Sequence, residues 1–182
     1  LRMLRSYVAV MIINTPTNSI IKPLHEDYKL DLFELANDEE TALLSSHWEP
    51  VEWENHCKWF DKRMIAEDFL VMIIAPAGNF LGHVDLKRID RDNQHAEIAI
   101  AMNQQPRGKG IGTQALKEMV HIGFSSLGLN KIYTYTRSDN IPAIRAYAKA
   151  GFQKEATLRK ERLIAGVYYN FDIMSILQPD NS

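Results

Sequence analysis

The chain has 182 residues, 46% of them apolar and 24% charged, enough for one hydrophobic core and far from collagen-like, disordered or coiled-coil composition. Its 21 basic and 23 acidic side chains leave a formal charge of −2, which argues against a nucleic-acid partner because such binders usually carry a basic excess. The balance is uneven: residues 1–91 hold 10 basic and 15 acidic side chains, residues 92–182 hold 11 and 8.

Residues 1–18 read as an N-terminal appendage. The longest apolar run, residues 7–13, is well short of the roughly 18 residues of a membrane span. Asn14, Thr15, Pro16 and Thr17 read as a turn rather than a cleavage site, so neither a membrane segment nor a signal peptide is expected. Residues 19–178 show no repeat, low-complexity tract or linker and are expected to form a single α+β domain. A strand at 20–23 leads into a helical region at 25–36, where Tyr28, Leu32, Leu35 and Ala36 lie on one side. A second helix starts near Asp38 and ends before Pro50. Residues 52–66 repeat the helical spacing, with Trp53, Cys57, Phe60 and Met64 on a common stripe that predicts a buried structural thiol at Cys57. One cysteine excludes a disulfide framework and suits a reducing, cytoplasmic location.

Strands at 69–75, 80–89 and 95–102 follow, separated by the turns Pro76-Ala77-Gly78-Asn79 and Asp90-Arg91-Asp92-Asn93, and predict an antiparallel meander. Ile111, Ala115, Leu116, Met119, Val120 and Ile122 mark a helix that stops at Gly128, ahead of a strand at 131–136. The order strand, helix, strand makes 95–102 and 131–136 a parallel pair with a right-handed crossover. Asn140-Ile141-Pro142 opens another helix, closed by Gly151. Residues 152–158 and 167–177 then read as a closing hairpin.

The segment Gln105-Pro106-Arg107-Gly108-Lys109-Gly110-Ile111-Gly112-Thr113 lies between a strand and a helix. Alternating glycines let backbone N–H groups converge on an anion, the helix start adds partial positive charge, and Arg107 and Lys109 strengthen the field. A diphosphate fits; a merely flexible turn is the alternative. The spacing matches neither the dinucleotide G-x-G-x-x-G fingerprint nor the G-K-[S/T] of a P-loop, because Gly110 follows Lys109.

Gln105-x-x-Gly108-x-Gly110 resembles the Q/R-x-x-G-x-G/A signature of the GNAT superfamily of N-acetyltransferases. Asn140-x-x-Ala143-Ile144-x-x-Tyr147-x-x-x-Gly151-Phe152 is similar to a second segment of that family. The resemblance spans about residues 20–177. It implies a mixed, mostly antiparallel sheet of about seven strands flanked by helices, with acetyl-CoA as cosubstrate. It further implies a pyrophosphate on the turn (Gln105, Arg107, Gly108, Lys109, Gly110, Ile111, Gly112, Thr113), a pantetheine arm against the backbone of Ile100, Ala101 and Met102, and cofactor contacts from Asn140 and Ala143. By the same resemblance Tyr147, also beside the cofactor, is the proton donor to the leaving thiolate. Its phenol, ordinarily near pKa 10, stays protonated at neutral pH.

Acetyl transfer needs a neutral amine and a polarised carbonyl. Alternation along 95–102 puts Glu97 with Ala99 and Ala101, opposite Ile98, Ile100 and Met102. Glu97 can accept the amine's proton, bind a cationic acceptor, or be a salt-bridged strand residue. For the acceptor, His47, Trp48, His56 and Trp59 offer stacking and hydrogen-bonding surfaces suited to a sugar or nucleotide, or ordinary core, and Asp85 joins them as a candidate. The layout resembles acetyltransferases of ribosomal-protein N-termini, spermidine and amino-sugar nucleotides. Asp38, Glu39, Glu40, Glu49, Glu52 and Glu54 would suit a polyamine. Direct transfer to a small-molecule or peptide amine in a ternary complex is therefore expected; the sequence does not read out an oligomeric state, and a homodimer is open to it. A coenzyme A-binding sensor is the alternative. The six histidines form no close H-x-x-x-H pair, so no metal is expected.

Overall fold

The computed structural model describes residues 18–44, 49–104 and 108–179; the expected appendage up to Thr17 lies outside these. In chain order the elements are β1 (Ile21–Pro23), α1 (Lys29–Ala36), α2 (Glu39–Leu44), α3 (Trp53–Met64), β2 (Phe69–Ile74), β3 (Gly82–Asp90), β4 (His95–Met102), α4 (Ile111–Ser125), β5 (Lys131–Arg137), α5 (Ile141–Lys149), β6 (Gln153–Ile164) and β7 (Val167–Leu177). The strands form one sheet in the order β1-β2-β3-β4-β5-β7-β6. Every neighbouring pair is antiparallel except β4 and β5, which are parallel across the crossover helix α4.

The parallel pair is short. His95, Ala96 and Glu97 oppose Lys131, Ile132 and Tyr133, and there the pairing stops, although β4 runs on to Met102 and β5 to Arg137. Each keeps its outer partner: Gly82 of β3 still opposes Met102, and Phe171 of β7 still opposes Arg137. The sheet therefore opens into a gap between the ends of β4 and β5.

Both faces of the sheet are covered, which explains the unbroken apolar run of β2. Met72 and Ile74 join Val84, Leu86 and Ile98 beneath α4 and α5, whereas Val71 and Ile73 pack on Leu32 of α1 and Phe60 of α3. Gly82 is needed where β3 meets the end of β4. Its φ is +150°, and a Cβ there would overlap the Ala101 carbonyl oxygen and lie 2.8 Å from Met102 Cα.

Two expectations change. The stripe on α3 is rotated: His56 and Phe60 are the buried residues of that helix, Trp53 is 45% exposed, and Cys57 is only half-buried. The reason is His56, whose Nε2–H donates to the Lys29 carbonyl at 2.8 Å and whose ring stacks between Trp53 and Trp59. Strand β6 runs six residues past its expected end at Leu158, to Ile164. A bulge between Leu158 and Arg162, with Lys160 at φ +52°, breaks the alternation that would have betrayed it. Asn170 of β7 stabilises the bulge by accepting the Lys160 N–H at 2.8 Å. No helix among the described residues is long and apolar enough to cross a membrane.

Candidate active site

On one side the gap between β4 and β5 is bordered by the start of α4. Gly110 is the N-cap of this helix with φ +83°, a left-handed conformation that glycine adopts without steric cost, and no side chain caps the first turn. Gly108 is also left-handed, at φ +82°, and a Cβ on either glycine would meet open space. No acidic residue stands in the first turn, and exposed Lys109 lies beside it. The N–H groups of Ile111, Gly112 and Thr113 thus form a ready anion site. Gly112 packs tightly, with its Cβ position 3.1 Å from Met102 Sδ and 3.6 Å from Ile100 Cδ1, which fixes the turn against the end of β4. These features fit the diphosphate of coenzyme A. Gln105 and Arg107 lie outside the described residues.

Across the sheet is a cavity of about 560 Å³ between α1, α3 and the strands. Leu32 and Leu35 line it from α1, and His56, Trp59 and Arg63 from α3. Its floor is made by His83, Asp85 and Lys87 of β3 with Glu97, Ala99, Ile100 and Ala101 of β4. At the gap it reaches Thr134 and Thr136 of β5 and Asn140, Ala143 and Tyr147 of the α5 region. The side chain of Asn140 is spent on capping α5, its Oδ1 accepting the Ala143 N–H at 3.2 Å.

Tyr147 is buried at 3% exposure and packs edge-on against Phe152 with ring centres 5.4 Å apart. Burial foremost, with the Glu97 and Asp85 carboxylates nearby, pushes its phenol up to about 12 against an opposing hydrogen bond with Thr134. Glu97 is also buried, and it is not isolated: Lys87 Nζ and Arg88 Nη1 each lie 2.9 Å from one of its oxygens. Of its three readings, the salt-bridged one describes its contacts. Asp85, buried too, accepts the Nδ1–H of His83 at 2.8 Å. Burial opposes the charged imidazolium, but the Asp85 charge and hydrogen bond outweigh it and raise the His83 pKa.

Of the acceptor residues expected from sequence, Asp85, His56 and Trp59 line this cavity, while His47 and Trp48 lie outside the described residues. His56 is mainly structural, and burial lowers its pKa against the opposing Lys29 carbonyl bond. None of Asp38, Glu39, Glu40, Glu49, Glu52, Glu54 or Cys57 lines the cavity. His83, Lys87 and Arg63 escaped the sequence reading. Alternation along 80–89 carried a signal for the first two, because His83, Asp85 and Lys87 fall on one face and oppose Ala101, Ala99 and Glu97 in register. No group of three or more potential metal ligands occurs among the described residues.

Residues 19–153 match the acetyltransferase (GNAT) domain family. Spermidine N(1)-acetyltransferase of Escherichia coli K12 is 30% identical over 161 residues, covering 87% of this chain and 85% of its own. The crystal structure of spermidine N-acetyltransferase from Vibrio cholerae in complex with CoA and spermine superposes with a TM-score of 0.80 at 25% identity, over 87% of this chain and 94% of that one. A dodecameric structure of the Vibrio cholerae enzyme gives 0.76 at 25% identity, over 87% and 92%.

Proposed function

Because this chain belongs to the GNAT family of N-acetyltransferases, with acetyl-CoA as cosubstrate, we propose that it passes the acetyl group directly to a primary amine of a small molecule held in the 560 Å³ cavity. The observation that carries this reading is the gap beyond Glu97 and Tyr133. It opens at the end of β4, on which the uncapped start of α4 packs through Gly112, beside the cavity that Ile100, Ala101 and Tyr147 line.

When bound, acetyl-CoA supplies an activated thioester; the chain supplies position, polarity and proton handling. The amides of Gly108 and of Gly110 to Thr113, with Lys109, hold the diphosphate. The backbone of Ile100 to Met102, which faces no strand on the β5 side, holds the pantetheine arm. Tyr147 donates a hydrogen bond to the sulfur as it leaves. With its phenol at about 12, complete proton transfer to a thiolate of ordinary pKa about 8.5 would be uphill by about 5 kcal/mol, so hydrogen bonding to the developing charge is its main contribution.

The amine must be neutral when it attacks. His83 is the acceptor of its proton: Asp85 holds Nδ1, which leaves Nε2 for the cavity. Glu97, occupied by Lys87 and Arg88, fixes the floor instead. Cys57, off the cavity, has no place in the reaction, in keeping with direct transfer.

Thiol release from acetyl-CoA on addition of an amine panel tests the reading. Tyr147→Phe should lower kcat by about 10²-fold, with the acetyl-CoA KM within threefold of wild type. Absence of thiol release with every amine, or undiminished turnover in the variant, would refute it.

A further inference from the structure

We propose that Arg63 docks an anionic group of the acceptor, so that the preferred substrate is a small amine that also carries a carboxylate or a phosphate rather than a polycation. This rests on the transferase reading and names the substrate class of the same cavity.

The charges lining the cavity do not suit a polyamine. Its two carboxylates are already engaged, Asp85 by His83 and Glu97 by Lys87 and Arg88. Against them Arg63, Lys87, Arg137 and Arg162 line the same space. Lys87 is held by Glu97, and Arg137 by Asp139 at 2.6 Å and by the Leu43 carbonyl. Arg63 differs: no carboxylate lies within ion-pair range of it among the described residues, and its Nε is buried without a hydrogen-bond partner. A buried donor of a charged group left unmet is destabilising.

Arg63 is nonetheless held in place. Its guanidinium carbon sits 3.7 Å above the centre of the Phe69 ring and 5.9 Å from that of Trp59. Stacking occupies the flat faces of a guanidinium and leaves its in-plane N–H fork for an oxyanion. The apolar clamp thus fixes a receptor whose complement must come from elsewhere. Register supplies the spacing: Phe69 opposes Lys87, which opposes Glu97, and the next row on this face is Val71, Asp85 and Ala99. His83, opposite Ile73 and Ala101, stands one row further on. The row under Arg63 and the proton acceptor are therefore four residues apart, about 14 Å along the strand, a span shared by the long Arg63 side chain, the His83 ring and an acceptor carrying its amine and anion at opposite ends.

Matched pairs decide the matter: cadaverine against lysine, ethanolamine against phosphoethanolamine, and spermidine as the polycation, each assayed by thiol release. The member of each pair that carries the carboxylate or phosphate should exceed its counterpart lacking it by about tenfold or more in kcat/KM, and whether lysine or phosphoethanolamine gains more identifies the anion. Arg63→Gln should narrow that ratio toward one by raising the KM of the anionic amine, and Arg63→Lys should restore part of it. A merely structural role would lower turnover of both members alike. The proposal is overturned if wild type prefers spermidine and cadaverine, or if the anion preference survives in Arg63→Gln. Should the glutamine variant fail to fold, the wild-type panel and Arg63→Lys still decide. Acetylation without anion preference sinks only the docking role, whereas no acetylation of any amine sinks the transferase reading as well.

Discussion

Replacing Gly82 by alanine adds one methyl group where β3 passes closest to the end of β4. The new Cβ would overlap the Ala101 carbonyl oxygen and stand 2.8 Å from Met102 Cα, against an ordinary carbon–carbon contact of about 3.5 Å or more. The obstacles are backbone atoms, so no rotamer change relieves them, and the end of β4 must retreat by at least about 0.7 Å to clear Met102 Cα and further to clear the Ala101 oxygen. Overpacking of this kind costs about 1–3 kcal/mol, and an L-residue at φ +150° adds about 1–3 kcal/mol. A mid-range loss of about 4 kcal/mol corresponds to a fall in Tm of about 8–16 °C for a domain of this size. The displaced atoms border the gap, so coenzyme A affinity should fall beyond what instability alone explains. Gly123→Ala is the control: its methyl would meet Ile132 Cδ1 at 2.6 Å, in the closed part of the sheet, and should destabilise while leaving affinity intact at low temperature. Thermal melts with calorimetric titration of coenzyme A read both effects. Wild-type Tm and affinity in Gly82→Ala would refute the reasoning.

Gly110→Val should behave in the opposite way, because its side chain points into open space. Stability should change by only about 1–2 kcal/mol from the left-handed φ, while coenzyme A binding falls at least tenfold; unchanged titration removes the pyrophosphate assignment. Asp85→Asn should flatten the pH dependence of stability. The raised His83 pKa contributes stability that is complete below the ordinary histidine value of about 6.5 and is lost as pH rises through the native value. Wild type should therefore lose Tm more steeply than the variant from about pH 6 to 8, and equal slopes would refute the pairing. Phe60→Ala, at a fully buried site under α1, should cost about 3–5 kcal/mol in urea unfolding.

The β2–β3–β4 meander, the one parallel pair and the closing hairpin were legible because each rests on local periodicity and on connection length, whereas the insertion of β7 between β5 and β6 was not. The glycine-rich turn at the start of α4 was legible too, because its signal lies in consecutive residues. What escaped depends on neighbours distant in sequence. Glu97 looked alone among alanines, yet its partners Lys87 and Arg88 arrive across the β3–β4 ladder. His83 becomes a functional candidate only through Asp85 on the same strand face. The significance of Arg63 depends on there being no carboxylate within ion-pair range of it among the described residues, which no sequence window displays. The rotation of α3 likewise follows from a bond between His56 and a carbonyl 27 residues away.

The three-rung junction between β4 and β5 also bears on how long the folded chain persists. Their inner edges beyond Tyr133 are sheet without a neighbouring strand, and a pantetheine arm lying there would complete the ladder. Such a ligand binds the native state alone, so at a hundredfold excess over its Kd it adds about 2.7 kcal/mol, a large share of the 5–15 kcal/mol typical of a domain. Resistance to proteolysis would then track the acyl-carrier supply of the cell: chains made during plenty would be long-lived, and those left without coenzyme would be cleared sooner.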